Sequence, residues 1–151
     1  MNSHELNCVA RGKVEAELLQ RGAVSVISRG TRKIHLLAGN AERSRTVTLK
    51  VKAKSKRKGN WHTRIEEAKL TVTPPNEEDV KDFWVFVDFD SAPRYWIVPD
   101  WWIRNEIYEK HQQYLNKHGG RRPVNDDSNH HSIDENQLEN WQNKWEILGV
   151  F

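Results

Sequence analysis

The sequence predicts one α/β domain in which α-helices flank a mixed central β-sheet. Apolar residues recur at helical spacing near both ends of the chain, alternate as in strands between residues 23 and 54, and run almost unbroken through FWVFVDF at 83–89. A length of 151 residues fits a single domain, and no internal repeat indicates a second one. We therefore predict one domain over residues 1–151.

The first half of the chain is predicted to form a helix followed by three strands. The helix, ARGKVEAELLQRG (10–22), has an apolar stripe and ends at Gly22, a residue that suits the position just after a helix. Strands are predicted at 23–30, 33–40 and 46–54. In the third strand apolar residues alternate with polar ones. One face therefore carries the lysines Lys50, Lys52 and Lys54.

The second half is predicted to contain a hairpin and two helices. FWVFVDF (83–89) is apolar on both faces, as expected of a covered strand, and RYWIVP (94–99) is its hairpin partner. A helix is predicted from Pro99 to the Gly119-Gly120 pair, followed by a polar loop over 121–132. The segment 133–149 is predicted as a closing helix whose shared face carries Leu138, Trp141, Trp145 and Leu148.

Charge is distributed unevenly along the chain. Residues 29–73 hold thirteen Lys and Arg against three acids, whereas residues 74–151 hold eight against fifteen. A basic segment joined to an acidic one is typical of a surface that binds polyanions beside a surface that repels them. The alternative is a basic loop that only contacts water.

The cellular compartment is predicted from features that the sequence lacks. It has no apolar run long enough for a membrane span and no apolar stretch of the secretory type near its start. Its single cysteine, Cys8, excludes an internal disulfide and a cysteine-based zinc site. We expect a cytoplasmic protein without membrane contact.

The stretch TLKVKAKSKRKGNW (48–61) concentrates the positive charge. Alternate residues of a strand lie about 6.6 to 6.8 Å apart, which roughly matches the phosphate repeat of a nucleic-acid strand. Trp61 follows the basic turn and could stack on an unpaired base, or it could fold back on the sheet. The predicted nucleic-acid contacts are Lys50, Lys52, Lys54, Lys56, Arg57, Lys58, Trp61 and Arg64.

A family resemblance rests on elements along nearly the whole chain. A helix ending AELLQRG, strands around IHLL and LKVKAK, the apolar FWVFVDFD, and YWIVP running into a helix resemble the PD-(D/E)XK nuclease superfamily. They look like its small restriction-endonuclease-like bacterial proteins, and HHSIDENQLENWQNKWEILG resembles the tail of such proteins. The resemblance implies a restriction-endonuclease-like core. It also implies a site in which an Asp and a Glu/Gln-x-Lys triplet bind Mg²⁺.

The expected catalytic positions depart from that pattern. The resemblance puts the aspartate position on His35 and the triplet on Lys50-Val51-Lys52, so that only Lys52 matches. Mg²⁺ prefers carboxylate oxygens, and each unit charge beside a divalent ion changes its binding by several kcal/mol. Some family members use a helix glutamate, for which Glu15 and Glu17 are candidates. The site is predicted to be degenerate, with no metal bound.

Three functions remain open at this stage. The first is a nucleic-acid-binding pseudo-nuclease, with DNA preferred to RNA. The second is a divalent-metal endonuclease that would use Lys52, His35, Lys50 and Glu17 with Mg²⁺ or Mn²⁺. The third is a protein-interaction subunit of a defence or mobile-element system, or a homodimer. Apart from the metal of the endonuclease alternative, no cofactor is expected.

Overall fold

A computed structural model of the protein describes residues 2–29, 35–55, 59–64, 73–117, 119 and 130–151. Within these ranges the protein is mixed α/β, with one five-stranded sheet, one two-stranded sheet and two α-helices. None of the helices in the described ranges has the length and apolar character needed to cross a membrane.

Helix α1 spans Ser3–Arg21 and begins earlier than its apolar stripe predicts. Its start is fixed by a capping box in which the Asn2 side chain accepts from the Glu5 N–H and the Glu5 carboxylate accepts from the Asn2 N–H. The helix ends at Gly22, whose φ of 116° is accessible to glycine at little cost. The predicted end of this helix is therefore confirmed.

Within the described ranges, seven strands and a second α-helix follow. The strands are β1 (Ser25–Arg29), β2 (His35–Gly39), β3 (Thr46–Lys54), β4 (Trp61–Arg64), β5 (Asp82–Asp88), β6 (Arg94–Pro99) and β7 (His130–Ile133), and helix α2 spans Asp100–Lys117. The main sheet has the order β1-β2-β3-β5-β6 and is antiparallel except between β3 and β5. Strands β4 and β7 form the separate two-stranded sheet, which the sequence did not predict.

The main sheet is covered on both faces by different cores. The face toward α1 is mainly aliphatic, with side chains such as Leu18, Leu49 and Ile97. The opposite face is aromatic, with Trp84, Phe86 and Trp96 packed against residues of α2, β4 and β7. Alternation along β3 therefore places its apolar residues in the first core and its lysines on the aromatic face. We call this second face the lysine face.

The predicted closing helix is wrong. The segment forms two short 3-10 helices, Asn136–Trp141 and Trp145–Leu148. Leu138 belongs to the core of the lysine face, whereas Trp145 and Leu148 belong to the core on the α1 side. Between them the chain passes the edge strand β6, where the Asn143 N–H donates to the Tyr95 carbonyl over 2.9 Å. A single straight helix cannot reach both faces of the sheet, so the segment bends.

Candidate anion-binding site on the lysine face

Strand register sets the neighbours of each lysine. Lys50 lies between His35 on β2 and Trp84 on β5. Lys54 lies beside Asp88, and Asp88 in turn lies beside Arg94 on β6. The expected grouping of His35, Lys50 and Lys52 on one face is present, because partners in register share a face.

The C-terminal end of β3 carries a partly buried network of balanced charge. We call Lys54, Asp88, Arg94 and Glu135 the neutral network. The Lys54 ammonium lies 3.9 Å from carboxylate oxygens of both Asp88 and Glu135 and donates to the Gly59 carbonyl over 2.7 Å. Arg94 bridges the same two acids, with distances of 2.5 and 3.1 Å to the Glu135 oxygens and a hydrogen bond to Asp88.

Each member of this network is satisfied within the protein. The hydrogen bond from Arg94 lowers the pKa of Glu135 below its ordinary value, and the bond to Glu135 raises the pKa of Arg94. Lys54 is only 6% exposed and Asp88 is fully buried. The prediction that Lys54 contacts phosphate is therefore wrong: its ammonium is held inside the fold by two carboxylates.

Trp61 is part of the core rather than a free stacking surface. It is 1% exposed, its indole N–H donates to the Val87 carbonyl over 3.0 Å, and its ring packs edge-on against Phe86 and Trp96. The Lys54 ammonium lies over the same ring, 4.2 Å from the ring centroid. The prediction that Trp61 stacks on a base is wrong, because strand β4 turns the ring onto the sheet.

The middle of the lysine face has an excess of positive charge. The Lys50 ammonium lies 3.8 Å from one oxygen of Asp100 and 5.1 Å from the Trp84 ring centroid. Asp100 also accepts from the Trp84 indole N–H and from Arg104, each over 2.6 Å. Asp100 stands at the start of α2 and Arg104 one turn later, so both carry their charges to the same edge of the lysine face.

Lys52 differs from its two neighbours on the strand. It is half-buried, and no hydrogen bond or ion pair of its ammonium group is found among the described residues. Burial, and next the charge of Lys50, lower the pKa of the Lys52 amine below the ordinary lysine value. We call Lys50, Lys52, Arg104 and Asp100 the cationic cluster: Lys50 and Arg104 lie beside the Asp100 carboxylate, and Lys52 lies next to Lys50 on the same face of the strand.

This arrangement does not fit the Mg²⁺ that the resemblance implies. His35, Lys50 and Lys52 supply no oxygen ligand, and the nearby Asp100 carboxylate is already shared by two cations and an indole N–H. Within the described ranges no three His, Cys, Asp or Glu side chains lie close enough together to bind a metal ion.

The proposed helix glutamate lies on the wrong side of the sheet. Glu17 accepts from Arg21 over 3.2 Å, and Arg21 lies over the Trp145 ring of the α1-side core. Burial, and then the Glu17 carboxylate, raise the pKa of Tyr95 in that same core. The expectation that Glu17 joins Lys52 in a metal site is therefore wrong, since the sheet separates them.

Several predicted contacts fall at the edge of what the structure describes. Lys56, Arg57 and Lys58 lie outside the described residues. Arg64 is described only as the last residue of β4, paired in register with His130.

Reasoning from the sequence did not identify most of the residues that partner the lysines in the neutral network and the cationic cluster. Asp100 and Arg104 carried a usable signal, because oppositely charged residues four apart on a predicted helix face each other. Asp88, Arg94 and Glu135 carried no such signal, since only the strand register and the bend at the end of the chain bring them to Lys54.

Comparison with known proteins identifies no relative of this chain. No family model, no curated protein and no solved structure matches the chain.

Proposed function

We propose that the protein binds nucleic acid through the cationic cluster, together with Lys56, Arg57 and Lys58, which follow β3 in the sequence. The observation that carries this proposal is the imbalance of the cluster, in which Lys50 and Arg104 share the Asp100 carboxylate while Lys52, beside Lys50, has no carboxylate partner among the described residues. Two charges at about 4 Å interact by about 4 kcal/mol at an effective dielectric near 20. An incoming phosphate therefore reduces repulsion that the folded protein otherwise retains.

The sequence adds further positive charge beside the cluster. Lys56, Arg57 and Lys58 follow β3 directly along the chain, and we propose that they also contact phosphates. Contacts of this kind neutralise phosphates without reading bases, so binding is expected to depend little on sequence and strongly on salt.

A degenerate restriction-endonuclease-like core is part of this proposal. The helix, the three-stranded meander and the parallel step from β3 to β5 support it at the level of element order. In such a core, the lysine face is where nuclease carboxylates would be expected, and here cations occupy those positions. We therefore propose binding without metal-dependent cleavage.

The test is binding of fluorescent single- and double-stranded DNA and RNA, measured by anisotropy at low and moderate salt. We expect affinity for at least one of the four ligands to fall about 10-fold or more between 50 and 200 mM salt, as for a protein with several phosphate contacts. Absence of salt-sensitive binding to all four would contradict the proposal. Co-purification of an acidic protein in stoichiometric amount, with no nucleic acid bound, would favour an interaction module.

A further inference from the structure

The three lysines of β3 differ in the partners of their amines, and Lys52 has the fewest among the described residues. Lys50 has Asp100 as a partner and Lys54 has Asp88 and Glu135, whereas Lys52 has no carboxylate partner among the described residues. Its stem lies beside the fully buried Phe86 in register, and Lys50 precedes it on the same face. The amine is thus half-buried and adjacent to another cation.

These surroundings favour the neutral amine, which is the nucleophilic form. Burial and a neighbouring cation are the two ways in which proteins activate lysine toward carbonyl groups. Both act on Lys52, and they lower its pKa in that order of size. The fraction of neutral Lys52 at neutral pH is therefore larger than for an ordinary lysine.

The neighbouring cations define which carbonyl compound fits. Lys50 offers positive charge for a phosphate close to the Lys52 amine, and Arg104 adds a second cation on the other oxygen of Asp100. A suitable electrophile is thus an aldehyde flanked by phosphate. Nucleic acid contains this combination where a base has been lost, because the open form of an abasic sugar carries an aldehyde between two phosphates.

We infer that Lys52 forms a reversible imine with the aldehyde of an abasic site in bound DNA, held by phosphate contacts to Lys50 and Arg104. The inference rests on the proposed nucleic-acid binding and names a substrate class for it. The Lys52 nitrogen attacks the aldehyde carbon, and the carbinolamine then loses water. One C=N bond replaces the C=O bond, the oxygen leaves as water with the two amine hydrogens, and no metal or oxidant takes part.

The experiment is borohydride trapping with a duplex oligonucleotide that carries one abasic site. The wild-type protein is compared with Lys52→Arg, which keeps the positive charge and loses the nucleophile. Lys144→Arg is the control, because Lys144 is an exposed lysine that lies 3.8 Å from Glu146 and directly precedes Trp145 of the α1-side core. An oligonucleotide with a tetrahydrofuran residue, which has no aldehyde, measures binding alone by anisotropy. The adduct is mapped by peptide mass spectrometry.

We expect an adduct at Lys52 that falls roughly tenfold or more in Lys52→Arg and is unchanged in Lys144→Arg. Binding of the tetrahydrofuran duplex without an adduct at Lys52, or equal trapping by Lys52→Arg, would overturn the imine and leave the binding function intact. Failure to bind that duplex at all would overturn the assignment of duplex DNA as the substrate, whereas the proposed function fails only if single-stranded DNA and both forms of RNA are not bound either.

A parallel reaction with pyridoxal 5′-phosphate tests whether the phosphorylated aldehyde that reacts with Lys52 is a small molecule or an abasic site in DNA. If this small phosphorylated aldehyde is trapped at Lys52 while the abasic duplex is not, the assignment of DNA as the substrate is overturned. If the abasic duplex is trapped at Lys52 and competes with the small aldehyde, the assignment is supported.

Discussion

Lys50, Lys52 and Lys54 form a row on one face of β3, and the two ends of this row have different surroundings. Lys54 is buried, lies between two carboxylates and serves the fold, whereas Lys50 and Lys52 lie in a group whose cations outnumber its single carboxylate. All three share one face of one strand. Their roles are therefore decided by what the neighbouring elements bring to that face, and a run of lysines does not by itself define a binding surface.

The largest expected effect comes from removing the acid at the centre of the neutral network. Asp88→Ala leaves Lys54 and Arg94 with only Glu135 between them, and loss of one partner in a buried ion pair typically costs about 3–5 kcal/mol. Chemical denaturation measures the loss. Glu42→Ala, at an exposed loop position, is the control and should change stability by less than about 0.5 kcal/mol. A similarly small effect at Asp88 would remove the distinction between the two ends of the row.

A smaller loss is expected at the ring beneath Lys54. Trp61→Phe keeps an aromatic ring in the core but removes the hydrogen bond to the buried Val87 carbonyl, which is expected to cost about 1–3 kcal/mol. Nucleic-acid affinity of the folded variant should stay the same. A variant of unchanged stability and weakened binding would instead return Trp61 to the role of a stacking residue.

The smallest expected effect is a pH-dependent gain in stability when Lys52 is replaced by Met. Its pKa is lowered in the folded state, so the unfolded chain binds more protons between that pKa and the ordinary value of 10.5. The cost of burying its charge is fully present at low pH and is relieved as pH rises toward that value. Lys52→Met should therefore raise the melting temperature near pH 7, and the gain should shrink near pH 10. A loss of stability in the variant, or a gain that grows with pH, would contradict this environment for Lys52.

Local patterns in the sequence predicted much of the fold. The alternation of β3, the hairpin of β5 and β6, the start of α2 and the glycine that ends α1 all follow from neighbouring residues, and each is present. The closing segment was mispredicted because its apolar residues serve two cores on opposite faces of the sheet. Helical spacing alone does not contain that information.

The position of the candidate site could be predicted, but the full set of its residues could not. Alternation placed Lys50, Lys52 and Lys54 together, and the register confirms that His35 joins them. The division into a neutral network and a cationic cluster depends on long-range partners, above all Glu135, which reaches Lys54 only because the chain returns to the lysine face after α2. The separation of Glu17 from Lys52 likewise depends on which face of the sheet α1 covers.

The most direct test of this account is the salt dependence of DNA binding in variants that each lose one lysine or arginine. The slope of log affinity against log salt should become shallower by about 0.9 for Lys50→Gln and for Arg104→Gln, since each is predicted to neutralise one phosphate of a duplex. It should stay unchanged for Lys144→Gln, and for Lys54→Gln at a temperature where circular dichroism shows that variant folded. A slope that changes with Lys54 and not with Lys50 would contradict the central claim that the middle of the row binds the ligand and its end holds the fold.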